Sequence, residues 1–514
     1  MEKNIRKLLM IVAMILVAIS LRLAFEYAYR LLNEITRITP LGGFAIRTFF
    51  AITVISIWLT ITVRSENAYQ KLPWLLILIV EPLIGLFLYF SMGRSFKNSL
   101  RYKNRPLIHD HSYITKEQKP GQISYPEKLD PFVKTVFETA HKITHHEPTI
   151  DTTRPTLLNN GEQFYPDMIK ELKQANDFIL MEFFIFAHDT RGQEIIDILI
   201  EKAASGVDVK LIVDALGSRR RMKRSVTKKI KNSAIDFIVN DPIIFPFFNT
   251  RVNYRNHRKI VVIDGTIGYT GGMNIADEYD NSIAYDYHFR DLQIKLEGSA
   301  VTTLTTLFFK DYYYNTNRFI QDKRYYPKKP LSYPGITQVI QSGPDSDEAY
   351  IRDVYLKMII GAKKSVKIMT PYMALDQETL TALKLAALSG IDVSIIIPGT
   401  PDKVLVYKVT KYYATVLIEH KVHVYQYTKG FAHGKCLIVD DLIASVGSYN
   451  LDNRSAIIDF EVTALLYGPI VDKLVQTFDN DLKDSRQIEP SVWLKRPITT
   501  KLIEGILSIF TPII

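Results

Sequence analysis

The sequence predicts an α/β body of two tandem, similar units forming one pseudo-two-fold site, preceded by an apolar amino-terminal region. Three observations lead there. One template, His-x-Lys-x4-Asp-x6-Gly-x-x-Asn, occurs twice, from His257 to Asn274 and from His433 to Asn450. Strand-like and helix-like patterns alternate through the body in an order that recurs. The amino-terminal region instead holds three apolar stretches, Leu8 to Leu21, Thr48 to Val63 and Leu72 to Met92.

The third stretch is the longest and as one helix would span about 31 Å, enough to cross a hydrocarbon core. It contains Glu81-Pro82, which reads either as a functional carboxylate or as a water-exposed Glu at a kink. Arg94, Lys97, Arg101, Lys103 and Arg105 follow with no acidic residue before Asp110, so the positive-inside rule puts the body in the cytoplasm. Residues 1–107 are therefore expected to be a transmembrane region of two or three helices. The first stretch is either a short span or a signal peptide without a clear cleavage site.

Residues 108–152 are polar, carry Pro120, Pro126, Pro131 and Pro148, and read as a linker with one helix near Asp130 to His145. His141, His145 and His146 on it lack partners at ligand spacing and read as a solvated face, so no metal is expected. Beyond, Phe178 to Phe186 reads as a strand, Gly192 to Ala204 as a helix and Val207 to Val213 as a strand. Ser365 to Met369, Glu378 to Leu388 and Ile391 to Ile397 repeat that order. The junctions share wording, Ser205-Gly206-Val207-Asp208-Val209 against Ser389-Gly390-Ile391-Asp392-Val393. Two units follow, 153–329 and 330–484. Residues 485–514 place Ile498, Leu502, Ile503, Ile506, Leu507, Ile509 and Phe510 at helical spacing, as in an interfacial amphipathic helix.

With five fixed residues, one chance match in a chain this long has a probability on the order of 10⁻⁴, and two have its square. Along an extended strand residues two apart share a face, so His257 projects with Lys259 and His433 with Lys435. Asp264-Gly265 reads as a tight turn, and the glycines at 271–272 permit the close approach that brings Asn274 back toward the His. Two imidazoles, two ammonium groups and two amides suit a phosphodiester: the cations and amides hold its oxygens, one His attacks phosphorus and the other protonates the leaving oxygen. No nucleotide-binding Walker A sequence, Gly-x-Ser-x-Gly or His-Glu-x-x-His is present.

The doubled template resembles the phospholipase D superfamily. Within it the chain as a whole is similar to the bacterial cardiolipin synthases, through Asn253-Tyr254-Arg255-Asn256-His257-Arg258-Lys259, Gly271-Gly272-Met273-Asn274 and Gly447-Ser448-Tyr449-Asn450-Leu451-Asp452-Asn453-Arg454-Ser455. The amino-terminal apolar hairpin and the terminal apolar helix extend that similarity to nearly the full length. The resemblance implies transfer of a phosphatidyl group from one phosphatidylglycerol to another, giving cardiolipin and glycerol through a phosphohistidine, with no cofactor. It implies catalytic roles for His257, Lys259, Asp264, His433, Lys435 and Asp440, with His257 favoured as nucleophile and His433 as acid, then base. Asn274 and Asn450 would grip the phosphate, Asp264 and Asp440 would hold the strands, and Glu461 and Asp291 would each orient a His.

The net charge of +10 favours an anionic partner. Anionic membrane lipid is expected, and the setting implied is a bacterial cell membrane with several spans. Hydrolysis, or transfer to another alcohol, is the nearest alternative. A tethered nucleic-acid phosphodiesterase has only the net charge and the basic run Arg219 to Arg224 with Lys228-Lys229 behind it, and the apolar flanks argue against it.

Overall fold

The computed structural model describes Glu34 and residues 40–63, 68–80, 82–89, 123–242, 253–285, 287–327, 331–509 and 511. The chain divides between Gly93 and Arg94 into two compact parts. In the amino-terminal part, α1 (Pro40–Val63), α2 (Ala68–Val80) and α3 (Pro82–Leu88) bury a small cluster of Ile57, Ile61, Leu78 and Tyr89. Among the described residues no helix is long and apolar enough to cross a membrane. The apolar run of α1 starts only at Thr48, after Arg47, and the third stretch is divided at Pro82, whose missing N–H cannot continue the ladder. Leu8 to Leu21 and the flank from Arg94 to Arg105 lie outside the described residues.

The carboxy-terminal part contains both copies of the template. Its first sheet has β1 (Thr153–Asn159), β2 (Phe178–Phe183), β3 (Asp208–Asp214), β4 (Asp236–Asn240), β5 (Ile260–Ile263), β6 (Ile267–Gly271) and β7 (Leu292–Gly298), in the order β1-β7-β6-β5-β2-β3-β4. The second has β8 (Ile336–Ser342), β9 (Ser365–Met369), β10 (Asp392–Pro398), β11 (His423–Tyr427), β12 (Cys436–Val439), β13 (Ile443–Gly447) and β14 (Glu461–Tyr467), in the matching order β8-β14-β13-β12-β9-β10-β11. In each sheet three strands run parallel, β2-β3-β4 and β9-β10-β11, and the rest pair antiparallel. The sequence repeat is thus a repeat of topology.

The central strands are buried on both faces, and side-chain alternation decides which layer a residue joins. Phe178, Leu180, Ile260 and Val262 of the first sheet enter one central core with Met369, Ile396, Ile438 and Val446 of the second. Ile179, Met181, Val261 and Ile263 turn outward onto the first unit's helices, and Val366, Ile368, Leu437 and Val439 onto the second's. The two sheets are therefore bonded through one interior.

The helix expected within a linker is α4 (Pro131–Thr144), N-capped by Asp130, and it is not isolated. Val133, Val136, Phe137 and Ala140 join the second unit's outer core, and Thr149–Ile150 adds a strand beside β8. The polar composition hid this because the apolar stripe of α4 is only one face wide. At the opposite edge of the second sheet, Ser485–Gln487 pairs with β11.

Arg258 joins the units. Strand alternation turns it away from His257 and Lys259, and it is fully buried. Its guanidinium pairs with Asp311 on α5 (Val301–Thr316), donates to Gln341 on β8, and donates through Nε to the Glu461 carbonyl at 3.3 Å. Arg258→Leu removes a guanidinium from a buried carboxylate, so unfolding free energy in denaturant should fall by about 3–5 kcal/mol. A loss under about 1 kcal/mol would show that the two sheets hold together without it.

Candidate active site

The two halves of the site are built by an exchange between units. Asn256 bridges in parallel to Phe460, with His257 N–H donating to the Phe460 carbonyl at 3.0 Å and Phe460 N–H to the Arg255 carbonyl at 2.9 Å. The mirror arrangement pairs Gly430–Ala432 with His288–Arg290, and His433 N–H donates to the Arg290 carbonyl at 2.7 Å. Each His thus stands beside the first residues of the other unit's strand. His257 Nδ1 lies 2.9 Å from Glu461 Oε1, and His433 Nδ1 lies 2.6 Å from Asp291 Oδ2.

With Nδ1–H of His433 donated to Asp291, its Nε2 carries the lone pair. Burial, then the Lys435 charge, pushes His433 down to about 4. Burial and the Lys259 charge hold His257 well below the ordinary imidazole range, while burial raises Glu461 to about 7. That pair is best described as sharing one proton along the Nδ1–Oε1 line. Ser448 Oγ–H donates to the other Glu461 oxygen and fixes the carboxylate.

Lys259 donates to the His257 carbonyl at 2.6 Å and lies over the Phe184 ring. Lys435 donates to the His433 carbonyl at 2.5 Å, with Nζ 2.9 and 3.0 Å from the two ring nitrogens. Burial lowers them to about 7 and about 8; the carboxylates Glu461 and Asp291 oppose this in both, and the Lys435 charge lowers Lys259 further. His257 also feels Lys435 and His433. The four side chains are therefore electrostatic neighbours in one buried space.

The structure does not bring Asp264 and Asp440 into it. Each sits at positive φ in the turn beyond the motif strand, on the order of 20 Å along the chain from its His. Asp264 accepts the N–H groups of Asn176, Asp177 and Phe178, and Asp440 those of Lys363, Lys364 and Ser365. They anchor the entry to β2 and β9.

The two amides differ. Asn274 accepts from Ile185 N–H at 3.1 Å and donates to Tyr279 Oη at 2.7 Å, and the Tyr279 ring lies edge-on to His433. Asn450 Oδ1 is buried and has no hydrogen-bond partner among the described residues. A Cβ at Gly271 would run into the Leu292 carbonyl and Gln293, and one at Gly447 into the Val462 carbonyl and Thr463, which explains the glycine in the template; at Gly272 it would meet the Asp291 carboxylate.

Sequence reading missed several residues around the site. Phe184 packs on His257, and Phe289, Phe431 and Tyr279 surround His433. Arg454 pairs with Asp459 at 2.9 Å and donates to the Asn253 carbonyl at 2.6 Å, tying the tail of the second template to the approach of the first. The run Leu451 to Ser455 was the available signal. Of the basic run, Arg221 pairs with Glu278 and Lys229 with Asp197.

Comparison with known proteins places the chain in a family. A family model described as "Cardiolipin synthase, PLD-like domain" matches residues 168–282 and 355–483, and one described as "Phospholipase_D-nuclease N-terminal" matches 51–94. The cardiolipin synthase of Geobacillus sp. (strain WCH70) is 34% identical over 92% of this chain and 94% of its own. That of Alkalihalophilus pseudofirmus is 36% identical over 90% and 93%. The crystal structure of phosphatidylserine synthase from Haemophilus influenzae Rd KW20 superposes with a TM-score of 0.57 at 16% identity, over 74% of this chain and all of that one, and shares the fold.

Buried lysines at about 7 and 8 make anion binding pH-dependent. Bound phosphate favours both ammonium forms, so above these values binding must take up protons. The affinity for tungstate, a phosphate analogue, should hold below pH 7 and weaken above it, approaching about tenfold per pH unit per lysine well above pH 8. Calorimetry in buffers of different ionisation heat measures this. An affinity unchanged from pH 6 to 9 would mean that neither lysine meets the anion.

Proposed function

The chain belongs to the phospholipase D-like cardiolipin synthases, and from that premise we propose that His257, Lys259, His433 and Lys435 carry out its phosphatidyl transfer at a bacterial membrane. It is a phosphatidyltransferase that makes cardiolipin and glycerol from two phosphatidylglycerol molecules. The observation that carries the site assignment is the exchange of carboxylates: each His is oriented by the other unit's acid in a buried space with two ammonium groups.

His257 Nε2 attacks the phosphorus of the first phosphatidylglycerol. Lys259 and Lys435 balance the charge of the non-bridging oxygens as the pentacoordinate state forms. The anionic phosphate raises the pKa of His433, which enters as imidazolium with Nδ1–H held by Asp291. The bond from phosphorus to the glycerol oxygen breaks, His433 gives that oxygen its proton, and glycerol leaves. Neutral His433 then takes the proton from a hydroxyl of the second phosphatidylglycerol. That oxygen attacks phosphorus, the P–N bond to His257 breaks, and cardiolipin departs. The order of the two histidines follows the family resemblance.

Asp264 and Asp440 act at a distance by holding β2 and β9. Asn450, with an unsatisfied amide oxygen, has spare polar capacity that Asn274 lacks. The apolar stretches from Leu8 to Met92 and the cations from Arg94 to Arg105 support membrane attachment with the body on the cytoplasmic side.

Purified protein in phosphatidylglycerol vesicles should release free glycerol and cardiolipin in equal amounts. His257→Ala and His433→Ala should each lower the rate at least about 10³-fold. Phosphatidic acid as the sole product would overturn the transferase reading. Peptide mapping after an alkaline quench during turnover should find the phospholipid adduct on His257, and an adduct on His433 would reverse the order.

A further inference from the structure

Helix α7 (Ile498–Ser508) packs on α6 (Val404–Ile418) with its polar side inward. Its one buried residue is Glu504, 1% exposed. Both Glu504 oxygens accept from Arg496 at 3.0 Å, and Lys411 of α6 lies 3.4 Å away. Arg496 stacks on Trp493 at 3.8 Å, both donate to Thr415 Oγ1, and Thr511 meets the Tyr413 hydroxyl at 3.1 Å. These charge-assisted bonds fix the rotation of α7 on the body.

The opposite side is apolar and open. Ile498, Leu502, Ile503, Ile506 and Ile509 are 77, 61, 45, 49 and 58% exposed. At 100° per residue they fall within an arc of roughly 140°, centred opposite Glu504. An ordinary surface helix would bury these side chains, each worth about 1.5–3 kcal/mol if fully covered. Here the ion pairs hold them out. With Arg496 paired to Glu504, the other charged residues from Trp493 onward are Lys495 and Lys501, so the charges left to flank the face are cations.

Helix α6 links this face to the site. Just before it, Asp402 accepts from Tyr372 and its charge reaches Lys435, and the first turn exposes Val404 and Leu405. The body thus presents an apolar, cation-flanked helix on the element whose start borders the reacting groups.

We propose that this face of α7 is a docking surface for an anionic phospholipid bilayer, with the ion pairs of buried Glu504 to Arg496 and Lys411 as the device that turns it outward. The inference rests on the reading of the chain as a phospholipid enzyme, since lipid is the occupant that matches both the apolar arc and the cationic flank. It is an attachment separate from the amino-terminal stretches, and it sets the body itself on the bilayer. The apolar arc sinks ~5–10 Å, to the boundary between headgroups and acyl chains.

The test uses the full chain in nanodiscs of phosphatidylcholine, with and without phosphatidylglycerol. Ile506→Cys and, on the far unit, exposed Lys170→Cys are labelled with an environment-sensitive fluorophore, while Cys436 stays buried and unlabelled. The probe at 506 should shift to the blue and be quenched by lipid bearing a quencher near the headgroup end of its chain, more strongly with phosphatidylglycerol present. The probe at 170 should show neither. Water-like emission at 506, or shielding that lipid does not quench and that grows with protein concentration, overturns the proposal, the latter in favour of a protein-facing surface. As a second arm, the triple variant L502Q, I506Q, I509Q should keep its melting temperature and kcat but need at least about threefold more surface phosphatidylglycerol for half-maximal rate. An unchanged requirement counts against the proposal. The depth readout needs no turnover, so absence of cardiolipin synthesis would sink the proposed activity without touching this result.

Discussion

The crossed hydrogen bonds His257 to Glu461 and His433 to Asp291 are the constraint on which the site depends. They follow from strand order. Within each sheet the strand carrying the acid, β7 or β14, is separated from the His strand, β5 or β12, by an intervening strand. Two strand spacings of ~4.8 Å put a unit's own carboxylate ~10 Å from its own His, out of hydrogen-bonding reach. The parallel bridges between Asn256 and Phe460 and between Gly430–Ala432 and His288–Arg290 deliver the other unit's acid instead. Neither unit alone can hold an oriented imidazole, so the shared central core and Arg258 serve the chemistry as much as the fold.

The same burial sets the electrostatics. Two lysines held at about 7 and 8 have folded pKa values below their unfolded ones. The stability of such groups is present above the unfolded value near 10.4 and is lost as pH falls toward the folded value, so near pH 7 their charged forms count against the fold. His433 at about 4 has the same sign, with its contribution kept above about 6.5 and lost as pH falls to 4. Glu461 at about 7 is opposite: its contribution is full below the unfolded carboxyl value and is lost as pH rises through 7. The resting site is thus short of negative charge at neutral pH. A bound phosphodiester supplies it, which couples substrate binding to stabilisation of the body.

Much of this was legible in the sequence, for a physical reason. Strands buried on both faces and amphipathic helices leave strong local patterns, so Phe178, Ser365 and the ends at Ala204, Met369 and Leu388 mark the observed elements directly. The turn at Asp264 and its counterpart at Asp440 were visible as residues that tolerate positive φ. What a local pattern cannot carry is a contact between units. The exchange of Glu461 and Asp291, the packing of α4 on the second sheet and the inward turn of Arg258 depend on tertiary placement. The apolar stretches near the amino terminus show the converse: composition marks 72–92 as apolar with a kink signal at Glu81-Pro82, and its described residues through Leu88 lie in two helices, α2 and α3.

A two-step transfer asks the two histidines to do different things, so the pseudo-two-fold must be broken, and the structure shows where. His433 is enclosed by Tyr279, Phe289 and Phe431, whereas His257 has Phe184 alongside it. His433 faces an aspartate whose other oxygen accepts from Leu292 N–H, and His257 a longer glutamate braced by Ser448. Asn274 is spent on Ile185 and Tyr279, while Asn450 Oδ1 has no partner among the described residues. Two identical chains around an exact axis could hold none of these differences in their resting state. Joining the units in one polypeptide lets each half be tuned separately: one imidazole sits in an enclosed, weakly basic setting and the other shares its proton with a carboxyl group near neutrality. Covalent duplication is therefore what allows a symmetric scaffold to support an asymmetric reaction.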